Sequence, residues 1–292
     1  MTLLSEEYII FGVLETRTVP SLVVVDFVSG PPEPQRLCDV KHAFTFYFPP
    51  FAQKASIIDV DVRSDPSPSW APNSELPVPF FTSRHHRIYV ITILVAPNGI
   101  MIEPKTLQFF ALGKFFISLT RKFADQVPAY IDWPAWGPKG TRMLVFPYRV
   151  EWFTRYVYGS RYVTTNGRVG LGDEHVYIYE FNQTMVRWKK RNITNDTTSA
   201  DTGTTTESAE DPTKADNLKS AQRCVIVTAP SRFADREIFQ VEVETKLGYC
   251  MTLWEIPQEW RPRSVMCSED GIVIVVSQQV RGKCNRPLIR ST

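Results

Sequence analysis

The sequence predicts an all-β fold of stacked antiparallel sheets, in the manner of a β-propeller or a sandwich, and three observations carry that expectation. Apolar residues come in short β-branched and aromatic runs bounded by turn residues, as at 88–96 and 156–158. Gly159-Ser160 joins two such runs, 156–158 and 161–165, and a glycine free to take positive φ is what a tight hairpin turn needs. The run 175–181 puts His175, Tyr177, Tyr179 and Phe181 on one strand face and Val176 and Ile178 on the other. Both of its faces are largely apolar, so both need cover, which stacked sheets supply and a sheet with one wet face does not.

Taken in order, residues 8–14 and 21–28 read as strands, followed by a proline-rich loop at 30–34. A strand over 42–48 stops at Pro49-Pro50, which cannot donate to a ladder. In 56–63, Ile58, Val60 and Val62 point one way and Asp59, Asp61 and Arg63 the other, as on the outer edge of a sheet. Residues 64–79 read as a long loop. A strong strand over 87–96 ends at Asn98-Gly99, and 105–111 is its hairpin partner. One short helix is predicted over 114–123: Leu112, Phe115, Phe116, Leu119 and Phe123 recur at helical spacing, and Arg121 and Lys122 suit a helix C-terminus. Its apolar stripe should plug the sheet. Residues 132–142 read as turns carrying Trp133 and Trp136, and 143–146 as a strand.

After Lys189-Lys190-Arg191, read as a solvated loop approach, residues 192–220 are Thr, Ser, Asp, Glu and Ala with almost no apolar side chain, which predicts a disordered insertion. Beyond it, strands are expected at 223–228, 239–245 and 250–255, with a last hairpin over 265–276 turning at Glu269-Asp270-Gly271. The organisation is one β-sheet domain, propeller-like or a sandwich, 1–191 continuing at 221–292, interrupted by the insertion 192–220. Weak internal echoes fit degenerate propeller blades: Val23 to Phe27 and Tyr177 to Phe181 both read three apolar residues, an acid and Phe.

Composition excludes several functions. A net charge of +2 gives no electrostatic case for nucleic acid or an anionic membrane. The most apolar run, 88–96, is too short to span a bilayer. The N-terminus carries acids where a secretory signal would be basic, so the expected location is cytoplasmic or nuclear. The five cysteines form no C-x-x-C pair and are read as reduced, buried thiols.

No catalytic, cofactor or metal set is assigned. His85-His86, between Arg84 and Arg87, would point to opposite faces if extended and has no third ligand nearby, so a rim that binds a partner outranks a metal. Asp59 with Asp61, and Glu242 with Glu244, share strand faces as general acid/base pairs do, but alternation puts such pairs on any wet face. Trp133 and Trp136 are interface candidates, against the alternative that they seal the core. The partner-binding candidates are therefore Arg84, His85, His86, Trp133 and Trp136.

The runs 56–70, 79–93, 130–144, 152–163, 237–254 and 265–276 resemble the C-terminal region of F-box proteins abundant in mushroom-forming fungi. The most telling pieces are Ser-Ile-Ile-Asp-Val-Asp-Val-Arg-Ser-Asp from Ser56, Trp-Gly-Pro-Lys-Gly-Thr-Arg from Trp136, Tyr-Val-Tyr-Gly-Ser-Arg-Tyr-Val from Tyr156 and Val-Met-Cys-Ser-Glu-Asp-Gly from Val265. The resemblance implies a degenerate WD-type propeller, complete or incomplete, that captures ubiquitination substrates for an SCF ligase. No three-helix F-box precedes Tyr8, so the SCF adaptor is an expected partner only if an F-box is restored upstream. The leading expectation is a non-catalytic protein-binding scaffold that is not an enzyme and needs no cofactor. The alternative is an intracellular propeller or sandwich with a small-molecule or glycan site, possessing or lacking catalysis.

Overall fold

The computed structural model describes residues 1–16, 19–30, 33, 36, 39–67, 86–97, 104–146, 155–165, 175–198, 223–256, 262–268, 271–277 and 287–291. The structure is predominantly β, and its sheets are antiparallel apart from one pair of strands. The first sheet runs β1 (Thr2–Leu3), β2 (Tyr8–Thr16), β3 (Val19–Asp26), β4 (Phe44–Tyr47) and then β8 (Ala129–Ile131), which lies parallel to β4. The second orders β5 (Ser56–Arg63), β6 (Ile88–Ala96), β7 (Lys105–Leu112) and β9 (Thr141–Phe146). The third orders β10 (Arg155–Tyr158), β11 (Arg161–Thr165), β12 (His175–Glu180), β16 (Tyr249–Glu255) and β13 (Arg223–Val227). The fourth joins β17 (Pro262–Cys267), β18 (Ile272–Ser277) and β19 (Pro287–Ser291), and a short ribbon pairs β14 (Ser231–Phe233) with β15 (Val243–Thr245). Among the described residues no sheet closes on itself.

The four larger sheets stack in chain order, with an apolar seam between each and the next. Ile10, Leu22, Val24, Phe44 and Phe46 of the first sheet meet Tyr89, Ile91, Ile93 and Phe109 of the second. The opposite face of the second sheet, with Ile88, Val90 and Phe110, meets Val157, Tyr162 and Tyr179 of the third. Val163 and Val176, on the far face of the third, meet Val265, Cys267 and Ile274 of the fourth. β12 divides its residues as its alternation predicts, Tyr177 and Tyr179 into one seam and Val176 and Ile178 into the next. All nine residues of β6 are buried, which is why this strand reads as an unbroken apolar run.

Local detail corrects several expectations. The edge strand β5 carries a bulge: Ile57 pairs with Val95 and Asp59 with Leu94, so Ile58 has no opposite number. The extra residue changes the face parity, and Ile57, not Ile58, joins Val60 and Val62 in the first seam. The Gly159-Ser160 hairpin forms as expected, with Gly159 at φ 59°. Helix α1 (Gly113–Lys122) lies one residue earlier than predicted and plugs the first seam with Phe116 and Leu119.

Residues 132–142 are not all turn: α2 (Trp133–Gly140) occupies most of them, starting on Pro134 near its N-terminus and packing Trp133 and Trp136 inward. Nor is Lys189-Lys190-Arg191 a loop approach. It lies on α3 (Gln183–Thr198), whose first turn is capped by the Asn182 Oδ1, which accepts from the N–H groups of Thr184 (3.0 Å) and Met185 (3.3 Å). The helix takes in residues 192–198 of the expected insertion, and 199–220 lie outside the described residues. Of the strand expected at 239–245 only β15 forms, while Phe239 makes a lone bridge to Phe51. The turns expected at Asn98-Gly99 and Glu269-Asp270 also fall outside the described residues.

Candidate functional site

The first seam does not end flush with the protein surface. Beyond the ends of β3 and β4 it opens into a groove of about 520 Å³, walled by Pro20, Tyr47, Phe48, Pro50, Trp133 and Pro134 among others. The lining follows from the local chain. β4 sends Phe44 and Phe46 into the seam, so alternation turns Tyr47 outward. Pro49-Pro50 then ends the strand, and Phe48 and Phe51, buried in the first seam, border the groove. Gln240 holds that wall: its backbone N–H donates to the Pro50 carbonyl (2.9 Å) and its side-chain amide to the Phe51 carbonyl (2.8 Å). On the opposite wall the N-terminus of α2 presents Asp132, Trp133 and Pro134.

Aromatic packing makes this wall stiff. The Trp136 indole N–H donates to the Tyr47 carbonyl (2.8 Å), and its ring contacts Phe46, Phe48, Phe116 and Trp133. Tyr47 stacks on Tyr130, a residue that is 67% exposed. Two acids, Glu15 and Asp132, stand near Tyr47. Partial burial, then the nearby Glu15, Tyr130 and Asp132, hold the Tyr47 hydroxyl above its ordinary pKa. Asp132 is exposed and its carboxylate makes no capping bond to α2. A volume of this size lies within the roughly 300–1,000 Å³ typical of ligand clefts.

A second, smaller cavity of about 180 Å³ opens where the second and third sheets meet, lined by Thr2, Ser64, Asp65, Thr92, Tyr156 and Tyr162 among others. Asp65 is held above the usual carboxylate range by partial burial, against the opposing pull of the Tyr156 hydroxyl and Arg87. The Tyr156 hydroxyl lies 3.5 Å from the Asp65 carboxylate. Behind this cavity Gln108 is fully buried, and neither its amide N nor its O has a partner among the described residues.

The sequence-predicted site residues separate. Arg84 and His85 lie outside the described residues, and His86 is half-buried. Trp136 is fully buried, so it cannot offer its ring to a partner: its surroundings are core, and it acts on the groove only by holding Tyr47. Trp133 is 7% exposed, and that remaining edge faces the groove. Arg87, which the sequence placed beside the histidines, is a clamp: it donates to the carbonyls of Pro66 (3.0 Å), Leu3 (2.7 Å) and Leu4 (2.7 Å) and so fixes β1. Of the paired acids, Asp61 is ion-paired with Arg63 (2.6 Å), Glu242 with Arg232 (3.6 Å) and Glu244 with Arg232 (3.1 Å) and Lys246 (2.5 Å), while Asp59 is exposed. Sequence reasoning missed Tyr47, Pro50, Asp132 and Gln240, although a Tyr-Phe-Pro-Pro-Phe run is itself a signal for an aromatic surface next to a forced strand end.

Among the described residues no group of three or more His, Cys, Asp or Glu is placed to hold a metal, and no helix is long and apolar enough to cross a membrane. In comparisons with known proteins, no family model, no curated protein and no solved structure matched this chain.

Proposed function

We propose that this chain is a non-catalytic protein-binding scaffold whose groove beside α2 holds an extended segment of a partner protein. One observation carries the reading: proline and aromatic side chains from well-separated parts of the chain converge on one stiff cleft with a free carboxylate at its rim. Flat rings and prolines suit an extended, proline- or aromatic-bearing peptide, since such a segment loses little entropy on docking. Asp132, with Glu15 near Tyr47, favours a Lys or Arg in that peptide. Two further supports point the same way. The sheets stack in chain order, as propeller blades do, and the sequence resembles the substrate-capturing region of F-box proteins. On that resemblance the bound segment belongs to a ubiquitination substrate, and an SCF adaptor joins where an F-box lies upstream.

The polar cavity with Asp65 and Tyr156 supports a second reading, a small-molecule site. A randomised decapeptide library selected on the immobilised full chain separates the two. The scaffold reading expects enrichment of peptides that combine Pro or aromatic residues with Lys or Arg, and a loss of binding of about tenfold or more on Tyr47→Ala or Asp132→Lys. Selected peptides that bind the Tyr47→Ala protein undiminished would overturn it. A saturable thermal shift by a small polar compound, abolished by Asp65→Asn, would favour the second.

A further inference from the structure

We propose that Cys224 and Cys250 form a peroxide-sensitive dithiol that closes to a disulfide and so pins the edge strand β13 to β16, with Lys189 of α3 as the cation that favours the thiolate. Neither the groove nor the resemblance enters this inference. The register pairs Cys224 with Thr252 and Cys250 with Ile226, so the two cysteines are diagonal neighbours on one face of the third sheet. Their sulfurs lie 2.8 Å apart, and a bond of roughly 2.0 Å asks for little further approach. α3 crosses the same face and brings the Lys189 ammonium to 3.5 Å from the Cys224 sulfur and 3.4 Å from that of Cys250. Burial pulls Lys189 toward neutrality, but the two cysteines override it and hold the ammonium above its ordinary pKa, which keeps the cation in place. Access is divided as a two-step oxidation needs: Cys224 is exposed, and Cys250 is buried behind it.

The chemistry balances with hydrogen peroxide as oxidant. The Cys224 thiolate attacks one peroxide oxygen, the O–O bond breaks, and hydroxide leaves while Cys224 becomes a sulfenic acid. The Cys250 sulfur then attacks the sulfenic sulfur, the S–O bond breaks, and a second hydroxide leaves. The two hydroxides take up the two thiol protons, so two thiols lose two electrons and the peroxide becomes water. Cys267 offers an internal contrast. It is buried, points its thiol at the carbonyls of Tyr156 (3.7 Å) and Arg161 (3.8 Å), has no second sulfur beside it among the described residues, and is pushed up to about 12 chiefly by burial. It should stay a thiol.

The test uses the full chain, reduced, freed of reductant and treated with hydrogen peroxide, then quenched in acid, alkylated, digested and mapped by mass spectrometry. The expected product is a cross-linked pair of peptides holding Cys224 and Cys250, lighter by two hydrogens, formed equally in a Cys38→Ser/Cys284→Ser protein. Lys189→Gln should slow its formation on the order of tenfold, because it removes the ammonium that sits beside both sulfurs. The oxidised chain should melt higher by roughly 5 °C, a gain absent from Cys224→Ser, whose exposed position leaves folding intact. Over-oxidation of Cys224 to the sulfinic acid with Cys250 still free, or preferential cross-linking to Cys38 or Cys284, would overturn the proposal.

Discussion

β6 and β7 face the first sheet on one side and the third on the other, and the two seams they build differ in kind. Toward the first sheet they present Tyr89, Ile91, Ile93, Leu107 and Phe109, and the gap is filled by rings, with Trp136 at its centre. Toward the third they present Ile88, Val90 and Phe110, but with them Thr92, Thr106 and Gln108, and β9 adds the buried Arg142. Each seam ends in a cavity of its own character. The apolar seam runs out into the groove at Phe48, Phe51 and Trp133, whereas the mixed seam runs out into the polar pocket at Thr92, Tyr156 and Tyr162. A cavity at the end of a stacked sheet thus inherits the chemistry of the seam behind it, and the packed rings of the apolar seam back the groove wall.

The comparison breaks most readily at Trp136. Trp136→Ala removes a fully buried ring and its bond to Tyr47, and should cost about 4 kcal/mol in a denaturant titration. In the mixed seam the largest loss should come from Arg142→Met. Arg142 donates to the carbonyls of Leu247 (2.6 Å) and Ala229 (2.9 Å) and lies over the Tyr249 ring, so its removal strands two carbonyls at a cost of about 2–3 kcal/mol. Gln108 sharpens the contrast with the opposite sign. Its amide has no partner among the described residues, so Gln108→Met, which keeps the shape and removes the unmet polar atoms, should gain about 1 kcal/mol. If Gln108→Met instead destabilised as much as Arg142→Met, the amide would be satisfied and the mixed seam would not be the less complete of the two.

Much of this stack was legible because β periodicity survives in the sequence. β6 showed itself as an apolar run, β12 by two apolar faces, and α1 by its spacing and basic last turn. The bulge in β5 was not legible, since Ile57-Ile58 offers two equal residues and only pairing with Val95 and Leu94 decides which faces inward. α2 was hidden by its own composition. Pro134, Gly137, Pro138 and Gly140 read as turn, yet the helix needs its glycine where a Cβ at Gly140 would strike the Phe115 ring. Tertiary packing of Trp133 and Trp136 there overrides weak propensity. α3 carried a legible cap in Asn182, but its polar, Thr-rich second half resembles a loop. The groove was half legible. Trp133 was a candidate, while its partners come from Val19, Tyr47, Asp132 and Gln240, which no local pattern connects.

The most direct test of the central claim is amide hydrogen exchange on the full chain with and without the tightest peptide selected from the decapeptide library. The account predicts added protection at 47–53 and 130–134, the two walls of the groove, lost on Asp132→Lys, with the polar pocket around 63–65 and 156–162 unchanged. Protection confined to that pocket, with the groove walls unaffected, would contradict it.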